Sequence, residues 1–222
     1  MAPFRILLAD DHEVVRTGLR ALLEEQSGWE VVAEAVDGRD AVEKASKLKP
    51  DAVVIDIAMP SLNGLEAVRQ ILKAVPNAKV LVLTMYDSDP LIQQVLQAGA
   101  RGYLLKSDAG RDLVSAIEAL RRNKTFFTPK VSQMVLEGYL DKNPKDKEKE
   151  LESEAESLRL TSRQREIVQL LAEGKSSKEV AAVLGLSVKT AETHRANIMR
   201  KLDCHSVTEL VRYAIRNHII AA

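Results

Sequence analysis

The first 130 residues alternate five short apolar runs with five amphipathic stretches, and that alternation leaves few folds open to the chain. Phe4–Ala9, Val31–Ala33, Ala52–Asp56, Lys79–Leu83 and Gly102–Leu105 read as strands, and their continuous apolar character predicts burial on both faces. Glu13–Glu25, Arg39–Leu48, Leu65–Ala74, Pro90–Ala98 and Asp112–Arg121 carry apolar residues at helical spacing. Strict alternation implies right-handed crossovers and predicts an α/β, doubly wound, five-stranded parallel sheet. Ligands of such sheets bind beyond the carboxyl ends of the strands.

A further helix, about Pro129 to Leu140, leads into Asp141–Ser157, where 11 of 17 residues are charged. So polar a stretch cannot bury enough apolar surface to pack, and it reads as a linker, part solvated helix and part tether. Four helices follow. Thr161 and Gln164 form a capping-box pattern opening Arg163–Glu173, and Gly174 stops it. Ser177–Leu184 ends at Gly185, Ser187 caps Val188–Leu202, and Val207–Asn217 closes the set. Two helices joined through Gly185-Leu186-Ser187 have the form of a helix-turn-helix. The expected organisation is a domain at 1–124, a helix and charged linker at 125–157, and an all-α domain at 158–222.

The zero net charge conceals an asymmetry. Residues 1–157 hold 21 basic and 26 acidic residues, a net of −5, whereas residues 158–222 hold 11 and 6, a net of +5. This fits a metal or signalling domain tied to one that binds a polyanion. No apolar run approaches the roughly 18 residues of a membrane helix, and Asp10 and Asp11 interrupt the first apolar segment, against a signal peptide. A cytoplasmic protein without membrane association is expected. Cys204, as a single cysteine, supports neither an internal disulfide nor a zinc framework.

Asp10 and Asp11 follow the first strand and Asp56 closes the third, so a parallel sheet brings three carboxylates to one edge. They repel one another unless a hard divalent cation lies among them, and Mg2+ fits best. One carboxylate can then attack phosphorus and form an acyl phosphate. Thr84 and Lys106, at the ends of the fourth and fifth strands, offer a hydroxyl and an ammonium to phosphoryl oxygens.

In the third C-terminal helix, Val188, Ala191, Ile198 and Leu202 form an apolar stripe, with Lys189, Glu192, Thr193, Ala196 and Arg200 opposite. A polar face of this kind suits the DNA major groove. Lys175, Lys178, Thr190, His194, Arg195 and Lys201 surround it and are candidates for phosphate contacts.

Residues 4–122 resemble the receiver domains of response regulators, which have a flavodoxin-like fold, through Asp10-Asp11, Asp56 with Met59-Pro60 and Gly64, Thr84 and Lys106. The resemblance implies that Asp56 is the phosphoacceptor. It also implies that Asp11 binds Mg2+ directly, Asp10 mainly through water, and that Asp56 and the Ala58 carbonyl complete the coordination. Thr84 would follow the phosphate, Lys106 would pair with it, and Tyr103 would be the rotating switch aromatic. Ser107 stands where the family commonly has a proline after a cis bond, so the Lys106–Ser107 geometry is open, and Met85 replaces a residue that is often small.

Residues 158–218 resemble the LuxR-type helix-turn-helix through Leu160-Thr161, Arg163, Arg165-Glu166, Glu173-Gly174-Lys175-Ser176, Lys189-Thr190, His194-Arg195, Asn197-Ile198 and Lys201-Leu202. Glu192 departs from the Lys of some relatives, and either accepts from cytosine N4 or screens neighbouring charge. Both halves together resemble the NarL/FixJ branch of response regulators. That implies a sensor histidine kinase as phosphoryl donor and a homodimer on paired DNA half-sites. Val211, Ile215 and Ile219 form a stripe for either dimer pairing or core packing. A haloacid dehalogenase-type phosphatase shares the Asp, Thr, Lys and magnesium but needs a second Asp where Ala58 stands, so no enzyme activity is expected beyond the protein's own phosphorylation and dephosphorylation. A receiver that dimerises without phosphate is a third reading.

Overall fold

The computed structural model describes residues 2–129, 131–133 and 160–220, which fall into two compact units divided at Val131 and Ser132. The helix expected from Pro129 to Leu140 lies largely, and the charged stretch Asp141–Ser157 wholly, outside the described residues.

In the first unit β1 (Phe4–Ala9), β2 (Trp29–Ala35), β3 (Ala52–Asp56), β4 (Lys79–Thr84) and β5 (Gly102–Leu105) form a parallel sheet in the order β2-β1-β3-β4-β5. This is the doubly wound arrangement, whose order reverses after β1 and opens a crevice between β1 and β3. Helices α1 (Glu13–Glu24), α2 (Gly38–Leu48), α3 (Gly64–Ala74) and α4 (Asp89–Gln97) make the connections, and α5 (Ala109–Arg121) follows β5. Ile6, Leu8, Val54, Leu81, Leu83 and Leu104 pack with Leu19 and Leu23 of α1 and Leu113, Ile117 and Leu120 of α5. The alternate strand residues Leu7, Val53, Ile55, Val80 and Val82 are buried as well, on the sheet's other face. Burial of each such side chain contributes about 1.5–3 kcal/mol, which explains the unbroken apolar runs of the inner strands.

The elements follow the expected ones with local differences. β2 is longer than its apolar core because it is an edge strand, where Glu30 and Glu34 keep access to solvent. α5 begins three residues early, after a 3-10 turn at Lys106–Asp108, because Ala109 packs into the core although Ala109-Gly110 carries no amphipathic signal. Phe126 bridges the outer edge of β5, its N–H donating to the Arg101 carbonyl at 3.0 Å and its carbonyl accepting from Tyr103 N–H at 2.9 Å. Sequence pattern gave no sign of this pairing, since a single bridge has no periodicity.

The second unit contains α6 (Ser162–Ala172), α7 (Ser177–Leu184), α8 (Val188–Lys201) and α9 (Val207–Arg216) among the described residues. Thr161 and Gln164 close the expected capping box, Ser176 and Glu179 close a second, and Ser187 and Ser206 cap α8 and α9. Gly185 ends α7 in the left-handed region at φ 64°, which glycine adopts without a Cβ penalty. Ile167, Val168, Leu170, Leu171, Val180, Ala191, Ile198, Leu210, Ala214 and Ile219 form a core of their own.

Candidate metal centre and nucleic-acid interface

Each acidic side chain reaches the crevice because a strand ends there. Asp10 and Asp56, at the ends of the adjacent strands β1 and β3, are 1% and 2% exposed, and Asp11 remains exposed. Oxygens of Asp10, Asp11 and Asp56 and a ring nitrogen of His12 all lie within 4.8 Å of one another. His12 was not anticipated: its ring lies 2.9 Å from Asp11 Oδ1 and 3.3 Å from Asp10 Oδ1. Its adjacency to Asp10-Asp11 was the available signal.

Lys106 leaves the end of β5 and reaches across the crevice. Its Nζ donates to Asp56 Oδ2 at 2.8 Å and stands 2.8 Å from Asp10 Oδ2. The Asp10 oxygen makes no other hydrogen bond, so its charge is met by the Lys106 ammonium. Burial pushes the Asp56 carboxyl pKa up, with the Asp10 charge adding to it, against the opposing pull of Lys106 and the Ala58 amide. At Lys106 burial opposes the charge, but the two facing carboxylates outweigh it and hold the ammonium pKa above its ordinary value. Receiver domains typically bind magnesium. Three carboxylates converging on one point, with the His12 ring at their edge, offer the oxygen donors that this hard cation prefers.

The backbone beneath Asp56 is closely packed. A Cβ on Gly64 would stand 1.8 Å from the Asp56 carbonyl oxygen, and the Gly64 N–H donates to the Ile57 carbonyl at 2.9 Å. Thr84 ends β4 at 1% exposure, and its hydroxyl oxygen accepts from the Tyr86 N–H at 3.1 Å. Tyr103 is buried, and its hydroxyl donates to the Tyr86 carbonyl. Burial, with the Asp87 charge adding to it, pushes the Tyr103 phenol pKa far up. Met85 is exposed. The Lys106–Ser107 peptide is trans, as is every peptide bond among the described residues.

In the second unit Lys189, Glu192, Thr193, Ala196 and Arg200 are all exposed along α8, while Ala191 and Ile198 are buried beneath them. Thr193 donates its hydroxyl to the Lys189 carbonyl at 2.8 Å, and Arg200 donates to Asn197 Oδ1 at 2.9 Å. Lys178 and Thr190 are exposed, and Lys175, His194, Arg195 and Lys201 are half-buried around the same helix. One expectation is corrected. Val188 is 43% exposed and does not belong to the apolar stripe, because it is the first residue of α8, directly after the Ser187 cap. Of the two readings left open for the stripe Val211, Ile215 and Ile219, Ile219 follows core packing, at 5% exposure beyond the end of α9, while Val211 and Ile215 are half-buried.

Residues 6–118 match the response regulator receiver domain, and residues 158–214 match the bacterial regulatory proteins of the luxR family. The chain belongs to the two-component response regulators. This response regulator is of the NarL/FixJ type. It is 38% identical over 218 residues to the oxygen regulatory protein NreC of Staphylococcus carnosus, covering 97% of this chain and 99% of that protein. It is 39% identical over 216 residues to the transcriptional regulatory protein LiaR of Bacillus subtilis, with the same coverage. A solved structure of two RcsB dimers bound to two parallel DNAs shares 27% identity at a TM-score of 0.56, covering 97% of this chain and 98% of that one. No helix among the described residues of the response regulator is long and apolar enough to cross a membrane.

Proposed function

We propose that this response regulator takes a phosphoryl group on Asp56 from a sensor histidine kinase and, as a cytoplasmic homodimer, binds paired DNA half-sites through α8. The observation that carries the reading is Lys106 bridging two buried carboxylates at the carboxyl edge of a receiver sheet. An Asp56 oxygen attacks phosphorus, the new P–O bond forms as the donor's P–N bond breaks, and the leaving imidazole takes up a proton. Lys106 turns from Asp56 toward the phosphoryl oxygens, and Thr84 exchanges its Tyr86 contact for one of them.

Asp10, Asp11 and Asp56, with the Ala58 carbonyl, would hold Mg2+, which when bound neutralises the charge brought in by the phosphoryl group. Tyr103 relays the change at Thr84 to the surrounding face. The domains span 1–124 and 158–222, a reading supported by the matched segments 6–118 and 158–214 that lie within them. With Ala58 two residues after Asp56, the site lacks a general acid for phosphatase turnover, and the protein acts only on its own phosphoryl group.

In α8, Lys189, Glu192, Thr193, Ala196 and Arg200 face base edges, while Lys175, Lys178, Thr190, His194, Arg195 and Lys201 meet phosphates. The test is Asp56→Asn with acetyl phosphate and Mg2+. Wild type becomes labelled once per chain and the variant, folded by circular dichroism, does not, because an amide is not a nucleophile. Stoichiometric labelling of the variant would overturn the assignment. Gel filtration with beryllofluoride and Mg2+ is expected to shift wild type to a dimer.

A further inference from the structure

Arg16 lies one turn into α1, five residues after Asp11, and its side chain is only 12% exposed. Its Nε–H donates to Glu34 Oε2 at 2.9 Å, and its Nη1 donates to the backbone carbonyl of Asp10 at 2.8 Å. Glu34 is fixed in turn. It sits in β2 in register with Leu8 of β1, its second carboxylate oxygen takes Arg20 at 2.8 Å, and its backbone carbonyl takes Lys44 at 2.6 Å. The Asp10 N–H donates to the Ala35 carbonyl at 3.1 Å, so both backbone polar groups of Asp10 are held.

The carbonyl that Arg16 grips belongs to the planar peptide joining Asp10 to Asp11. To fix that oxygen is to fix the plane, and with it the positions of the Asp11 nitrogen and Cα from which its side chain departs. Asp11 is exposed, and the His12 ring that lies 2.9 Å from its Oδ1 is itself exposed, so the backbone beneath largely sets where its carboxylate points. A flexible carboxylate loses rotational freedom when it binds a cation, and a pre-set one loses less.

We propose that Arg16, anchored by Glu34, is a positioning residue for divalent-cation binding through Asp11, an inference that rests on the reading of Asp10, Asp11 and Asp56 as a magnesium site. Electrostatics alone predicts the opposite sign. A guanidinium beside three carboxylates repels a second cation, so deleting its charge without a positioning role would tighten magnesium binding. Groups that orient metal ligands typically change affinity by about 10–100-fold when removed.

The experiment is calorimetric titration of the full chain with Mg2+ alone, comparing wild type, Arg16→Gln, Arg16→Lys and Glu34→Gln, with melting in EDTA recorded for each. Arg16→Gln is expected to raise the dissociation constant about tenfold, at the low end of that range. Arg16→Lys keeps the charge but reaches one partner instead of two, and is expected to weaken binding severalfold, as is Glu34→Gln. If Arg16→Gln does not fold, Arg16→Lys, which leaves the charge unchanged, carries the test. An unchanged or tighter constant in the folded variants overturns the proposal, even if they melt lower in EDTA. Absence of magnesium binding by wild type, or wild-type affinity in Asp11→Asn, overturns the metal-site reading itself.

Discussion

The hydroxyl of Tyr103 in β5 donates a hydrogen bond to the carbonyl of Tyr86, two residues past Thr84, while the Tyr86 N–H donates to the Thr84 hydroxyl oxygen. One loop residue is therefore held from both sides, by the hydroxyl at the end of β4 and by the buried ring. Replacing Tyr103 with Phe removes one side. It leaves the Tyr86 carbonyl without that donor, at a cost of about 1 kcal/mol in urea unfolding. Labelling of Asp56 by acetyl phosphate should persist, because Tyr103 does not touch the carboxylates. The gain in DNA affinity produced by beryllofluoride should shrink. An undiminished gain would show that the Tyr103 hydroxyl has no part in coupling.

Lys106→Met leaves two buried carboxylates without their cation, and on the order of 3 kcal/mol of stability should be lost at pH 7 in EDTA. The pH dependence has a definite sign. The Asp56 pKa is raised in the folded state, so its favourable contribution is complete below the unfolded value of 3.8 and is lost as pH rises through the folded one. Without Lys106 that loss deepens, and the gap between variant and wild type should narrow toward pH 4. At the other end, the raised Lys106 pKa means its contribution is full below 10.5 and disappears above that, a limb the variant lacks. Urea unfolding at pH 4, 7 and 11 checks both. Magnesium should restore part of the loss at pH 7, and an equal gap at pH 4 and 7 would refute the account.

Lys189 and Lys178 are both exposed but should fail differently. Lys189→Ala is expected to relax preference at one base pair, worth about 1–3 kcal/mol of discrimination. Lys178→Ala should weaken binding evenly to all sequences and lower the slope of log affinity against log salt by about 1. Fluorescence anisotropy on operator and scrambled DNA at several salt concentrations separates them. Identical behaviour of the two variants would remove Lys189 from the groove.

A fragment of residues 158–222 should fold alone, because Ile167, Leu170, Val180, Ile198, Leu210 and Ile219 bury one another in a core of their own. Helical circular dichroism with a cooperative melt is the expected result. A fragment disordered at room temperature would place the boundary elsewhere.

Much of this was legible in one dimension. The strand–helix alternation determined the parallel sheet, because a strand buried on both faces must be apolar throughout and a crossover helix must be amphipathic. Asp10, Asp56, Thr84 and Lys106 were recognisable because each is a polar residue at the end of an apolar run, where a parallel sheet gathers its strand termini. The caps at Thr161 and Ser187 were visible because they act within three residues. What only the tertiary structure decided depends on contacts between distant segments with no periodicity: Phe126 on the edge of β5, Ile219 folding back into the core, the Gly64 backbone against Asp56, and Arg16 meeting both Glu34 and the Asp10 carbonyl. A guanidinium on a helix reads as solvated until the strand beside it is known to present a carboxylate, because direction and distance in space are not encoded in spacing along the chain.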